Sequence, residues 1–203
     1  MPKADKLDLY REHKQDYAAP RQPVLLTVAP AKYLSIEGQG EPGGQLFKAH
    51  LAALYGAAFT IKMTSKFAGR DYKVMMLEGL WWLLAGHGTV SDPWPKQQNW
   101  KLLICTPDFI TRKNLQQAIA ALKAKGKGPE VSRVKLETLR EGRCVQMLHV
   151  GPYDQERQTI EAMRAHAQAN GLSFKGSHHE IYLSDPRRVV PARLRTILRQ
   201  PVR

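Results

Sequence analysis

Two glutamates beside aromatic residues are the side chains of this sequence best suited to chemistry. Glu78 is closely followed by Trp81 and Trp82, and Glu180 lies two residues before Tyr182. A carboxylate beside aromatic rings attracts cations, and burial raises its pKa toward the range of a general acid or base. Strand glutamates are more often solvated, and tryptophan pairs more often pack in a core, so both pairs are candidates for ligand binding or catalysis.

Strand alternation predicts which neighbours share a face with each glutamate. Glu180 and Tyr182 lie on one face of their strand, and Glu78 shares a face with Trp82 while Trp81 points the other way. Helices must cover one face of the sheet. We therefore expect both glutamates on the uncovered face, lining one groove.

Two further candidates lie at a predicted strand-to-helix junction. Tyr153 follows a Gly-Pro pair, where its phenol could point into the groove, and His149 lies just before it. The neighbouring His178 and His179 cannot both bind one ion, because adjacent strand residues point to opposite faces. The glycine-rich residues 38–44 lack the features of a phosphate-binding loop or a dinucleotide fingerprint. No metal and no cofactor are therefore expected.

The pattern of apolar residues predicts the elements that position these side chains. Residues 1–22 are mostly polar and are expected to form a mobile arm or a short surface helix. The order strand, strand, helix, strand, strand then occurs twice, at about 23–107 and 130–203, within a single domain at 23–203. The last two strands of the first repeat flank a proline-rich loop containing Trp94. A helix at about 108–125, opening at Thr106-Pro107, joins the repeats.

Composition limits the partners and the compartment. No apolar run approaches the roughly 20 residues of a membrane span, and no signal-peptide core is present, so a cytoplasmic protein without a membrane partner is expected. Cys105 and Cys144 lie in apolar segments and are expected to be buried thiols. The net charge of +13 includes six arginines in residues 187–203. Weak, nonspecific nucleic-acid contact through this basic surface is possible on charge alone. Nothing in the sequence indicates the oligomeric state.

Four segments together resemble the GyrI-like small-molecule-binding family. Residues 149–153 read HVGPY and residues 179–186 read HEIYLSDP, while residues 72–82 and 198–202 resemble a stand-alone branch of the family. The resemblance implies an α+β fold of duplicated β-β-α-β-β modules, whose antiparallel sheets form a central ligand groove. It maps the groove glutamate onto Glu180 and the Gly-Pro-Tyr tyrosine onto Tyr153. Glu78, Trp81 and Trp82 match the stand-alone branch.

The resemblance leaves three functions open. Members of the stand-alone branch are cyclopropanoid hydrolases, which open strained electrophilic rings of DNA-alkylating compounds by adding water. In that function Glu180 and Tyr153 would be catalytic, while Glu78, Trp81, Trp82, Tyr182 and His149 would bind a small aromatic or cationic molecule. The alternatives are a non-catalytic module that binds or senses cationic aromatic drugs, and a protein inhibitor of DNA gyrase.

Overall fold

The computed structural model describes residues 6–83 and 98–203. The loop that contains Trp94, and residues 1–5 of the predicted arm, lie outside the described residues. The helices are α1 (Leu9–Glu12), α2 (Gln45–Phe67), α3 (Arg112–Ala124) and α4 (Arg157–Ala169). The strands are β1 (Val24–Val28), β2 (Ala31–Gly40), β3 (Leu77–Trp82), β4 (Gln98–Cys105), β5 (Lys135–Leu139), β6 (Gly142–Val150), β7 (His178–Tyr182) and β8 (Arg195–Pro201).

The eight strands form one antiparallel sheet, curled into a half-barrel, in the order β1-β6-β8-β7-β3-β4-β2-β5. This order has a two-fold pattern. Counted from one end of the sheet, β1, β2, β3 and β4 hold the same positions that β5, β6, β7 and β8 hold when counted from the other end. β3 and β7 meet at the centre. The outer strands are exchanged: β1 pairs with β6, and β5 pairs with β2. The predicted α+β class is confirmed, with one continuous sheet in place of separate ones.

Helices α2 and α4 lie on the same face of this sheet. Trp81 stands opposite His178 on one side and opposite Trp100 on the other, so these three side chains share a face. Phe47 of α2 stacks on Trp81, with ring centroids 6.1 Å apart, and contacts Trp100 edge-on. The apolar side of α4 packs against Leu198, which pairs with Glu180 in the sheet. The face that carries Trp81 and Glu180 is therefore the helix-covered face.

Residues 6–22, the N-terminal segment, pack against the opposite face of the sheet and contain the short helix α1, which is the second of the two predicted alternatives, rather than forming a mobile arm. Leu9 and Tyr17 are only 5% and 4% exposed, and Leu7 pairs with Tyr72 as an isolated bridge. The main-chain carbonyl of Ala18 accepts a hydrogen bond of 2.6 Å from the buried amide of Gln146 on β6. Sequence polarity left the mobile arm open as an alternative, because the few buried side chains and backbone acceptors that hold the segment have no local signal.

Helix α3 begins five residues later than Thr106-Pro107 predicts. Its N-cap is Thr111, which forms a capping box with Asn114: the Asn114 side chain accepts from the Thr111 backbone at 2.9 Å. Reciprocal capping satisfies two backbone N–H groups, so it fixes the helix start more strongly than a proline does. Among the described helices, none is long and apolar enough to cross a membrane.

Candidate functional site

The two glutamates singled out in the sequence lie on opposite faces of the sheet. Across the central β3–β7 pair, Glu180 stands opposite Gly79, whereas Glu78 stands opposite Ile181. Directly opposed residues share a face, and successive residues alternate. The prediction that both glutamates lie on an uncovered face is therefore wrong. Glu180 lies on the helix-covered face, and Glu78 lies on the face covered by the N-terminal segment.

On the helix-covered face, Glu180 belongs to a buried group with Glu156 and His178, which we call the carboxylate cluster. The Nε2 atom of His178 lies 3.8 Å from Glu180 Oε1 and 4.0 Å from Glu156 Oε2. Glu156 is the N-cap of α4 and is 1% exposed, and its Oε1 atom has no hydrogen-bond partner among the described residues. The helix and the central strand thus bring two acids and an imidazole together away from water.

Burial sets the protonation of the carboxylate cluster. It raises the pKa of Glu180 to about 7, although the Tyr182 hydroxyl and the charge of His179 pull this pKa down. The pKa of Glu156 is also raised, by burial and then by the charge of Glu180. Burial, followed by the charge of His179, lowers the pKa of His178 to about 3. At neutral pH the imidazole is therefore neutral, and one proton is readily held between the two acids.

Three aromatic side chains, which we call the aromatic edge, adjoin the carboxylate cluster: Trp81, Tyr153 and Tyr182. The Trp81 indole N–H donates to the Tyr182 hydroxyl at 3.2 Å, and the rings of Tyr153 and Tyr182 meet edge-on with centroids 5.8 Å apart. Both tyrosines are half-buried. The backbone of Gly79 lies under this edge, where a Cβ would be 2.8 Å from the Trp81 nitrogen and 3.1 Å from the Tyr182 hydroxyl. Only glycine leaves both groups in place.

Burial keeps both phenols of the aromatic edge protonated. It raises the pKa of Tyr153 to about 12, with further contributions from the charges of Glu180 and Glu156. The pKa of Tyr182 is raised for the same reasons, first by burial and then by Glu180. Each phenol is therefore available as a hydrogen-bond donor throughout the neutral range.

His149 holds the turn that carries Tyr153. Its Nε2–H donates to the Pro152 carbonyl at 3.1 Å, and its Nδ1 atom accepts from the Thr159 hydroxyl at 2.9 Å. Burial lowers the pKa of this imidazole, in keeping with a neutral ring that uses one nitrogen as donor and the other as acceptor. Both ring nitrogens are therefore hydrogen-bonded within the protein, and these bonds position Tyr153.

On the opposite face, Glu78 belongs to a chain of buried polar side chains, which we call the buried ion network. The two ring nitrogens of His179 donate to Glu78 Oε2 and to Glu141 Oε1, each at 2.9 Å. Arg199 then donates to Glu141 at 2.8 Å. At the other end the Tyr17 hydroxyl donates to Glu78 at 2.9 Å. Trp82 shares the face of Glu78 and is half-buried, apart from the aromatic edge.

His179 and Glu141 hold each other in their charged forms within the buried ion network. Burial alone would lower the pKa of His179, but Glu141 and Glu78 raise it to about 9. Burial would likewise raise the pKa of Glu141, which His179 and Arg199 bring down to about 2. A protonated His179, which precedes Glu180 on β7 and points to the opposite face, is thus a fixed positive charge next to Glu180. This charge lowers the pKa of both Glu180 and His178 in the carboxylate cluster.

Sequence reasoning missed several groups that the structure brings to these two sites, among them Glu156, His178 and Glu141. In the sequence, Glu156 looks like an acid in the first turn of a helix, where it favours the helix dipole. His178 looks like an ordinary strand residue beside His179, and Glu141 looks like a residue of a hairpin turn. None has a local pattern that predicts burial. Glu156, His178 and Glu180 each offer a ligand atom within 4.8 Å of the others, a donor set that suits Zn²⁺. The same three groups without a metal suit proton transfer.

Comparisons with known proteins agree with this architecture. Residues 21–203 match the family model described as GyrI-like small molecule binding domain. Three crystal structures from Listeria innocua share 36% sequence identity with the chain, covering 98% of it and 100% of their own lengths. They are described as an uncharacterized conserved protein, a hydrolase, and a hydrolase encoded by lin2189, with TM-scores of 0.90, 0.86 and 0.88.

A more distant likeness concerns the fold alone. The C-terminal domain of EcmrR is 14% identical, covers 90% of this chain and 97% of its own, and has a TM-score of 0.58. Among curated proteins no significant match was found.

Proposed function

Because the chain belongs to the family of GyrI-like small molecule binding domains, we propose that it is a hydrolase that opens electrophilic cyclopropane rings of DNA-alkylating compounds. The observation that carries this proposal is Glu180, a buried carboxylate with a pKa raised to about 7 beside two protonated phenols. The hydrolase description of Listeria innocua relatives at 36% identity supports the same reaction class.

In the proposed reaction Glu180 acts as a general base. Its ionised form takes a proton from water as the water oxygen attacks a carbon of the strained ring. The ring C–C bond breaks, and its electron pair moves into a conjugated carbonyl, which becomes an enolate or phenolate. Tyr153 or Tyr182 donates a hydrogen bond to that oxygen, where negative charge develops in the transition state. The proton held by Glu180 then returns to the product.

Glu156 and Trp81 support these roles. Burial and the charge of Glu180 raise the pKa of Glu156, so that a protonated Glu156 next to an ionised Glu180 avoids a second buried charge. Trp81 orients the Tyr182 hydroxyl through its indole N–H, and its own ring is buried against Phe47. The mechanism uses no metal, so turnover should persist after dialysis against a chelator.

Incubation with a cyclopropane-bearing alkylator, using much less protein than compound, tests the proposal. Mass spectrometry should detect many ring-opened molecules per protein molecule. Glu180→Gln should keep the affinity for the ligand and lower kcat by about 100-fold or more, as the loss of a general base does. Glu161→Gln, on the exposed side of α4, is the matched control and should react like wild type. Wild-type turnover in Glu180→Gln would refute the role of Glu180.

Binding of cationic aromatic drugs without chemistry is the second candidate function. It is favoured by the position of two acids beside the aromatic edge, an arrangement that attracts cations. Here Glu180→Gln should weaken binding of a cationic dye and leave a neutral ligand of the same shape unaffected. Stoichiometric binding without product release would favour this function over hydrolysis.

A further inference from the structure

Helices α2 and α3 form a layer without acidic residues on the outside of the protein. They pack against each other where Leu122 meets Gly56. Neither helix contains an aspartate or a glutamate, whereas each contains three lysine or arginine residues. In contrast, the exposed Arg157 of α4 is paired with Glu161 of the same helix. Six of the chain's 31 lysine and arginine residues thus lie on two helices that carry no acid of their own.

The exposed side of α2 also carries a line of large apolar side chains, which we call the ridge: Phe59, Met63 and Phe67. Their exposed fractions are 52%, 40% and 81%. They lie four residues apart, so they follow one side of the helix. The ring of Tyr55, one turn earlier, stacks on Phe59 with centroids 6.1 Å apart. Single exposed apolar residues are ordinary, but a continuous line of them marks a surface that is covered in use.

Two exposed lysines lie on the same side of α2 as the ridge, and the charge of one of them, Lys66, also acts on Asp71. Lys48 and Lys66 are eleven and seven residues from Phe59, which places them within about 20° of it around the helix. Lys62 instead turns to Asp71, with Nζ 3.1 Å from the carboxylate. Lys66 thus lies within the ridge, next to Phe67, and Lys48 lies about three turns before Phe59.

We propose that this face docks on the surface of an anionic lipid bilayer. The ridge would enter the apolar boundary of the headgroups, while Lys48 and Lys66 meet the lipid phosphates. Apolar side chains beside exposed lysines, on a helix without acids, complement that surface, which is apolar beneath and negative above. This goes beyond the proposed reaction and departs from the expectation of no membrane partner. That expectation rested on the lack of a spanning segment, which a peripheral contact does not need.

Charge argues against two other occupants of this face. A second copy of the chain would set the same lysines against each other around an apolar contact. A nucleic acid would satisfy the lysines, but it would leave the protruding ridge against sugar and phosphate. The bilayer alone satisfies both the cations and the apolar line.

Flotation with vesicles tests the proposal on the full chain. Wild type should float with phosphatidylcholine vesicles that contain phosphatidylglycerol, and not with phosphatidylcholine alone. The pair Phe59→Gln and Phe67→Gln should weaken binding at least about tenfold, from the lost apolar burial. The pair Lys48→Glu and Lys66→Glu should weaken it about 25-fold or more, since each basic residue near such a surface contributes about fivefold.

Matched controls separate the face from general effects of charge and polarity. Lys14→Glu with Lys175→Glu makes the same change in net charge elsewhere, and Val190→Gln removes an exposed apolar side chain outside α2. Both should bind vesicles like wild type, as should Glu180→Gln. Unfolding midpoints equal to wild type would show that the ridge variants are folded.

Three outcomes would overturn the proposal. The first is the absence of vesicle binding by wild type. The second is vesicle binding that survives the ridge substitutions. If the lysine variant alone then loses binding to duplex DNA, a nucleic acid is the occupant of this face. The third is self-association that disappears in the ridge variant without any vesicle binding, which would identify a second copy as the occupant.

Discussion

At the scale of single residues, the burial of Glu180 links the stability of the fold to pH. The ordinary pKa of a glutamate is 4.5, and in the folded protein that of Glu180 is about 7. Between these values the folded state keeps a proton that the unfolded chain has lost, so the free energy of unfolding decreases as pH rises. For a shift of this size the decrease is about 3 kcal/mol.

Glu180→Gln should remove this pH dependence. We expect the variant to gain stability relative to wild type on going from about pH 5 to about pH 8, as measured by urea unfolding. Glu161→Gln, whose carboxylate is exposed, should show no such gain. If Glu180→Gln and wild type differed equally at both pH values, the carboxylate would not be ionising in a buried site.

The same residue predicts the pH dependence of the proposed reaction. A general base must be ionised, so kcat/KM should rise through a pKa of about 7 and then level off. A rate that falls through that pH would instead make Glu180 a general acid. The measurement is a pH series of initial rates, with the stability of the protein checked at each point.

Alternation along each strand could be predicted from the sequence, but the placement of the two glutamates could not. The grouping of Glu180 with Tyr182, and of His179 with the other face, follows from a two-residue period. Whether Glu78 joins them depends on the register of β3 against β7. A shift of one residue moves a side chain to the other face, and the local pattern does not encode that register.

At the scale of elements, the N-terminal segment is held to the sheet through Tyr17. Its hydroxyl donates to Oε1 of the buried Glu78, whereas His179 donates to Oε2 of the same carboxylate. Tyr17→Phe leaves the ring in place and removes this bond from a buried carboxylate. We expect a loss of about 1–3 kcal/mol in the free energy of unfolding, the usual effect of unpairing a buried polar group.

Tyr10→Phe is the matched control for that prediction. The ring of Tyr10 contacts that of Tyr17, with centroids 5.7 Å apart, but Tyr10 is only half-buried. Its substitution should leave the unfolding midpoint close to wild type. Equal midpoints for wild type and Tyr17→Phe would mean that the segment adds little to the stability of the sheet.

Element order could be predicted much better than element boundaries. The sequence of strands and helices in residues 23–203 follows from apolar periodicity, and the resemblance to the GyrI-like family is confirmed over residues 21–203. The start of α3 was mispredicted because Thr106-Pro107 and Thr111-Asn114 both have capping chemistry. The tertiary contacts that bury the N-terminal segment have no local signal at all.

At the scale of the whole molecule, the exchange of outer strands joins the two predicted repeats into one folding unit. Strand β1 pairs with β6 and places Leu25 against the small core beneath α4. Strand β5 pairs with β2 on the far side of the sheet. Neither residues 23–107 nor residues 130–203 can complete their sheet alone. We therefore expect unfolding to be a single cooperative transition.

The positions of the tryptophans make that expectation testable, because all four lie in residues 81–100. Met163 of α4 is fully buried in the other repeat, and Met163→Ala should lower stability by about 2–5 kcal/mol. In a cooperative molecule the midpoint seen by tryptophan fluorescence should fall as far as the midpoint seen by circular dichroism. A fluorescence midpoint that stayed at its wild-type value would show instead that residues 23–107 unfold independently, despite the exchanged strands.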